Sequence, residues 1–300
     1  MMNVFVVRFN FYFKRLVASL CWGGIALSIM AIPSFAAESE ESQETFLPLE
    51  QMVYIYLDTG TVVVQLAPFI APKHVEQFKA LVKEGFYDGL DLYRVIDGFV
   101  AQGGDVTEKK SSANRINLKA EFTRPLKESS TFHLLQSPAF LAEQTGFING
   151  FAAGRSLEDK QEWLIHCPGA LAMARDNGAD TGSTDFYIVI GQAPRHLDRN
   201  MSVFGQVVSG LQYVQSAQRG DRHANGGVIA EPTMRTKILS AKLAIDVPES
   251  KRLRIALQHS DSVDFQKRVA SARSLDGPFY HYKGTGNLDV CYYRPSITVR

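Results

Sequence analysis

The segment Leu92 to Gly104 sets aromatic and β-branched residues, among them Tyr93, Val95, Ile96, Phe99 and Val100, around Gly98, Gly103 and Gly104. Such residues favour strands, and glycine inside a strand run marks a bend or a close approach of two backbones. The segment therefore predicts strands at a close-packed corner. Upstream, Val53, Ile55 and Leu57 alternate with Tyr54, Tyr56 and Asp58, and Val62, Val64 and Leu66 alternate again after the turn Asp58-Thr59-Gly60. This period of two across a tight turn predicts a hairpin. Pro72 opens a helix whose apolar face is Val75, Phe78, Leu81 and Val82, and Gly85 ends it. Strand signals return at Ala170 to Ala174, Phe186 to Ile190, Ser202 to Val208 and Lys237 to Ile245, with a helical face at Leu211, Val214 and Ala217 between the last two. Many short strands with two helices predict a mainly β fold, a closed antiparallel barrel rather than a βαβ sheet.

The stretch from Val106 to Pro168 has no sustained period. It predicts long connections with one short strand near Ile116 to Phe122, and Trp163, Leu164 and Ile165 marking the return to the core. A connection of this length in a compact domain is usually functional or mobile. Beyond Pro248 the pattern predicts a strand at Leu253 to Leu257, a helix at Val263 to Arg273 and a strand at Leu288 to Tyr293. The expected organisation is residues 1–36 as an export signal, 37–51 as a flexible acidic leader, 52–246 as one domain with an insert at about 106–168, and 247–300 as an α+β extension. That extension is expected to pack on the barrel, because Leu253, Ile255, Leu257, Phe265 and Val269 need cover.

Arg8, Lys14 and Arg15 precede an apolar run from Leu16 to Ile32, followed by Pro33-Ser34-Phe35-Ala36-Ala37. Basic start, apolar run and small residues form the pattern of a secretory signal peptide, here cleaved after Ala36. The expected location is outside the cytoplasm, in a periplasm; the alternative is an uncleaved N-terminal anchor. Cleavage takes Lys plus Arg from 32 to 29 against 31 Asp plus Glu, a net charge of −2. That balance argues against a nucleic-acid or membrane-surface partner. Cys167 and Cys291 remain. In an oxidising compartment they either bridge or act as small buried apolar residues. None of the 7 histidines stands at metal-ligand spacing, and no cofactor is expected.

Three blocks occur in order. The first is Gly85-Phe86-Tyr87-Asp88-Gly89, then Tyr93-Arg94-Val95-Ile96-Asp97-Gly98-Phe99-Val100-Ala101-Gln102-Gly103-Gly104-Asp105. The second is Gly169-Ala170-Leu171-Ala172-Met173-Ala174-Arg175, then Phe186-Tyr187-Ile188. The third is Leu197-Asp198, then Val203-Phe204-Gly205-Gln206-Val207-Val208-Ser209-Gly210. Over roughly Met52 to Ile245 the chain resembles the cyclophilin family of peptidyl-prolyl cis/trans isomerases. The resemblance implies an eight-stranded antiparallel barrel closed by two helices. It also implies proline-containing peptides, here unfolded exported proteins, as partners.

The chemistry asks little of a protein beyond one fixed cation. Amide resonance sets a barrier of about 18–20 kcal/mol to rotation of an X-Pro bond. Twisting the bond localises a lone pair on the proline nitrogen, and a donor held there favours the twisted state over both planar ones. By resemblance Arg94 is that donor. Gln102 is beside it to bond the substrate backbone, and Phe99, Val100, Tyr187 and Leu197 line the proline slot. Backbone groups at Ala174 and Arg175 hold the preceding residue. His196 and Met201 stand at rim positions where the family often carries tryptophan and histidine, which predicts weak cyclosporin binding. Asp185 stands for a frequent glutamine, Tyr187 for a phenylalanine and Arg175 for an asparagine. The alternative to an enzyme is a non-catalytic module of the same fold that holds proline peptides or unfolded chains, and a monomer is favoured. Asp58-Thr59-Gly60 and Asp180-Thr181-Gly182 match the short run of aspartic proteases, but the first lies in a hairpin turn and the second lacks an apolar strand before it.

Overall fold

A computed structural model of the chain describes residues 43–127, 130–140 and 142–300. The export signal and its cleavage after Ala36 lie outside the described residues, as does most of the acidic leader. Among the described residues no helix is long and apolar enough to cross a membrane.

Eight strands form the barrel: β1 (Met52–Leu57), β2 (Gly60–Leu66), β3 (Asp91–Ile96), β4 (Val100–Gly104), β5 (Ala170–Met173), β6 (Phe186–Val189), β7 (Val203–Ser209) and β8 (Thr236–Leu243). They close in the order β5-β6-β4-β3-β8-β1-β2-β7 and back to β5, with every pair antiparallel. Closure leaves no barrel edge unpaired. The α-helices among the described residues are α1 (Pro72–Lys83), α2 (Leu211–Gln215), α3 (Arg222–Asn225) and α4 (Val263–Ser274). The apolar face of α1, with Phe78 and Leu81 fully buried, joins a core with Val53, Ile55, Val62 and Val64 from the first hairpin. The expected mainly β closed barrel is the one present.

The insert differs from its sequence pattern. Residues 106–168 contain a five-stranded antiparallel sheet in the order Arg124–Pro125, Gln161–Leu164, Phe151–Ser156, Gln144–Ile148, Phe132–Gln136. The strand expected near Ile116 to Phe122 is absent; Leu118 makes a single bridge to Gly182. Both faces of the sheet are covered. Ile148, Phe151, Ala153 and Leu164 belong to the barrel core, whereas Leu135, Phe147, Ala152, Trp163 and Ile165 pack with Phe265 and Val269 of α4 and with Leu288 and Val290. Strands buried on both sides lose the apolar/polar alternation that announces a strand in sequence.

Glu162 is wholly buried in this sheet, and Arg124 and Arg155 converge on it. Arg124 Nε donates to Oε1 at 2.7 Å, Arg155 Nη2 to Oε2 at 3.0 Å, and Ser130 Oγ to Oε1 at 2.9 Å. Removing the carboxylate leaves two guanidinium groups without their counter-ion. Glu162→Ala is therefore expected to cost about 3–5 kcal/mol of stability, read from the urea midpoint. A shift of under about 1 kcal/mol would show that water replaces the pair at little cost.

The leader and tail depart from expectation in two places. Glu44–Phe46, expected within a flexible leader, is a strand that pairs with Ile255–Gln258, whose other edge takes Ile297–Val299. Leu288 to Tyr293, expected as a strand, is a turn: the Asp289 carboxylate accepts the Cys291 amide at 2.7 Å, and its carbonyl accepts the amides of Tyr292 and Tyr293. A disulfide joins Cys291 in this turn to Cys167 at the end of the insert. Ile255, Leu257 and Val247 cover Met52, Tyr54, Val63 and Val208 on the outer face of the barrel.

Candidate active site

Arg94 on β3 lies opposite Gln102 on β4, Gln102 lies opposite Tyr187 on β6, and Tyr187 lies opposite Ala172 on β5. Directly opposed residues share a face of a sheet, so one row of side chains crosses four strands. A groove of about 400 Å³ opens along this row. Tyr93, Arg94 and Gln102 are its polar lining, and Phe99, Val100, Tyr187, Leu197 and Met201 its apolar lining. Ala174 and Arg175, just past β5, complete it. The structure thus gathers nine sequence-predicted residues, with Tyr93, around one cavity. His196, on the 3-10 turn Arg195–Leu197, is exposed and does not line it.

The Arg94 guanidinium is held on two sides. Nε donates to the Gly226 carbonyl at 2.8 Å, and Nη1 donates to Gln102 Oε1 at 3.1 Å. Nη2 has no partner among the described residues, and the side chain lines the groove. The Gly226 carbonyl arrives on the segment Gly220–Ile229, which runs beside β3: Val95 N bonds to Gly227 O, and Ile229 N to Tyr93 O, both at 2.9 Å. Inside that segment Asp221 caps α3 by accepting the amides of His223 and Ala224. No sequence pattern pointed to this segment as part of the site.

Gln102 is fixed in turn. Its amide donates to the Tyr93 hydroxyl, and that hydroxyl donates to Asp185 Oδ2 at 2.6 Å. Burial, then the adjoining Asp185 carboxylate, hold the Tyr93 phenol far above its ordinary range, so it keeps the proton it donates. Burial likewise raises the Asp185 carboxyl, against the opposing hydrogen bonds from Tyr93 and from the Asp105 amide. Gly104 makes the approach possible. A Cβ built there would lie 2.1 Å from Asp185 Oδ1, and its φ of +145° suits glycine. Asp185, a departure from the family pattern, therefore closes a chain of hydrogen bonds that ends on Arg94.

At the other end of the row, Tyr187 is 5% exposed and its hydroxyl lies 2.9 Å from Nε2 of the fully buried His166. The sequence pattern assigns neither His166 nor Tyr93 a role at the site. The readable signal for His166 was Tyr187 itself, because a buried hydroxyl where phenylalanine is common requires a polar neighbour. Arg175 braces the loop around it. Its Nη2 and Nε donate to Asn200 O at 2.9 and 3.1 Å, and Nη1 to Asp176 O at 2.7 Å. Its guanidinium also sits 5.3 Å from the Phe122 ring centroid. Among the described residues no group of three or more His, Cys, Asp or Glu is placed to hold a metal ion.

Comparison with known proteins agrees with this geometry. Residues 52–243 match the family model described as cyclophilin type peptidyl-prolyl cis-trans isomerase/CLD. A probable peptidyl-prolyl cis-trans isomerase of Brucella suis is 30% identical over 204 residues, covering 68% of this chain and 85% of its own. Peptidyl-prolyl cis-trans isomerase B of Bacillus subtilis is 32% identical over 169 residues, covering 56% of this chain and 91% of its own. The crystal structure of a cyclophilin from Hirschia baltica superposes with a TM-score of 0.68 at 25% identity, covering 85% of this chain and 93% of that one. A closed barrel, a tethered arginine beside an apolar slot and a family match across the whole barrel lead to one assignment: the chain belongs to the cyclophilin-type peptidyl-prolyl cis-trans isomerases.

Proposed function

We propose that the groove binds X-Pro segments of unfolded exported proteins and that Arg94 catalyses their isomerisation by favouring the twisted amide. The observation that carries the reading is the tethering of Arg94. With Nε and Nη1 bonded to Gly226 and Gln102, Nη2 is the nitrogen left with both hydrogens for the groove. A cation fixed before the substrate arrives needs no reorganisation when the proline nitrogen gains its lone pair. Arginine suits this role because it stays charged and its planar fork is rigid. The proline ring fits the apolar lining of Phe99, Val100, Tyr187, Leu197 and Met201. That ring is the same in the planar and twisted states, so the slot supplies binding while Arg94 supplies the rate difference.

Export rests on the N-terminal pattern of Arg8, Lys14 and Arg15, the apolar run and Ala36-Ala37, and is supported by a disulfide, which persists in oxidising compartments. The test is NMR exchange spectroscopy on an X-Pro peptide with the native protein, paired with mapping of backbone shifts during peptide titration. Catalysed exchange with shifts confined to the segments around Arg94, Gln102, Tyr187 and Leu197 is expected. Shifts centred on residues 247–300 would overturn the placement of the substrate. Mass analysis of the protein after expression with its own N-terminus should show a chain beginning at Ala37, and a full-length product would remove the cleaved-signal reading.

A further inference from the structure

Tyr187 stacks against His166, with ring centroids 6.0 Å apart and planes 15° from parallel. His166 is fully buried. Its amide and its Nδ1 both meet Asp198 Oδ1, at 2.9 and 2.8 Å. A carboxylate only accepts, so Nδ1 carries the ring hydrogen, and in the neutral imidazole Nε2 then presents its lone pair. The Tyr187 hydroxyl then donates to Nε2. Asp198 in turn ends the 3-10 turn that carries Leu197, and its own amide bonds to Arg195 O at 3.0 Å. Arg195 closes the figure, with Nη2 donating to the His166 carbonyl at 2.6 Å and Nη1 lying 3.5 Å from Asp198 Oδ2.

Two walls of the proline slot therefore hang on one carboxylate. Tyr187 reaches it through His166, and Leu197 is its chain neighbour. Apolar packing resists separation of two walls but does not fix their distance, whereas a line of directed hydrogen bonds fixes both distance and ring angle. We propose that His166 and Asp198 are positioning residues that set the width of the proline slot through the Tyr187 hydroxyl. The proposal rests on the reading of the groove as the substrate site. Because the slot grips the ring equally before and during rotation, loosening it weakens binding and leaves the chemical step alone.

The test compares steady-state kinetics of native protein, Tyr187→Phe and the double variant Tyr187→Phe/His166→Leu on one X-Pro peptide. Tyr187→Phe leaves the lone pair of Nε2 buried without its donor. KM is expected to rise about three- to tenfold with kcat within about twofold. The double variant removes both the unpaired Nε2 and the Nδ1 donor to Asp198, and KM is expected to stay raised, because the line to Asp198 is gone. An unchanged KM in Tyr187→Phe, or a fall in kcat at constant KM, would overturn the proposal. A readout on the native protein needs no variant: long-range proton–nitrogen correlation should show His166 as the Nδ1–H tautomer, and the Nε2–H form would sink the relay. If native protein fails to catalyse exchange at all, the assignment of the groove fails; if it turns over normally and only these outcomes fail, the relay alone is wrong.

Discussion

Arg94→Ala is expected to lower kcat/KM on an X-Pro peptide by about 10²- to 10³-fold, nearly all of it in kcat. The side chain contributes a donor only where charge appears during rotation, so its loss acts on the twisted state. Arg94→Lys is expected to recover little of the rate. An ammonium carries its three donors on one rotatable nitrogen, whereas Arg94 reaches Gly226 O and Gln102 Oε1 from two separate nitrogens of a planar fork that fixes the direction of the third. A protease-coupled assay on both variants, with circular dichroism to verify folding, measures this. Rates within about threefold of native in Arg94→Ala would mean that the slot alone carries catalysis.

The second large effect concerns stability. The Cys167–Cys291 bridge closes a loop of 124 residues, for which the chain-entropy limit is about 5 kcal/mol. Replacing both cysteines by serine is expected to cost about 2–5 kcal/mol, read as a lower urea midpoint, because the tail helix and the insert sheet then meet without a covalent tie. The same loss should follow from reductant on native protein and be missing when reductant is added to the serine variant. A midpoint unchanged by either treatment would show that packing of Phe265 and Val269 on Trp163 and Phe147 suffices.

Much of the barrel was legible because the sequence signals there are local. β1 and β2 alternate across a two-residue turn, and the glycines of β4 mark where Asp185 and Leu92 press on the backbone. What stayed hidden is non-local. The three central strands of the insert are buried on both faces, and Gly146 and Gly154 stand where His133 O and the Trp163 ring leave no room for a Cβ, so composition there resembles a loop. Glu44–Phe46 is polar enough to pass for a leader and becomes a strand only because Ile255–Gln258 offers an edge. Leu288 to Tyr293 is apolar enough to pass for a strand and is bent into a turn by the Asp289 side chain. At the site, Arg94 and Gln102 were readable by resemblance, but their supports were not. Tyr93, Asp185 and Gly226 come from three separate stretches of chain, and no spacing rule joins them.

The strand Ile255–Gln258 is gripped on one side by the first described strand of the chain and on the other by the last, and Arg300 reaches back to Glu44 at 2.6 Å. Stopping the polypeptide near Pro248 to obtain a minimal catalytic fragment would strip Met52, Tyr54, Val63 and Val208 of their cover and present a greasy shoulder to solvent. Trimming only one end would leave a bare ladder edge open to recruitment of a second molecule. For this cyclophilin the smallest well-behaved unit for expression therefore extends from before Glu44 to Arg300, well past the borders of the matched family region.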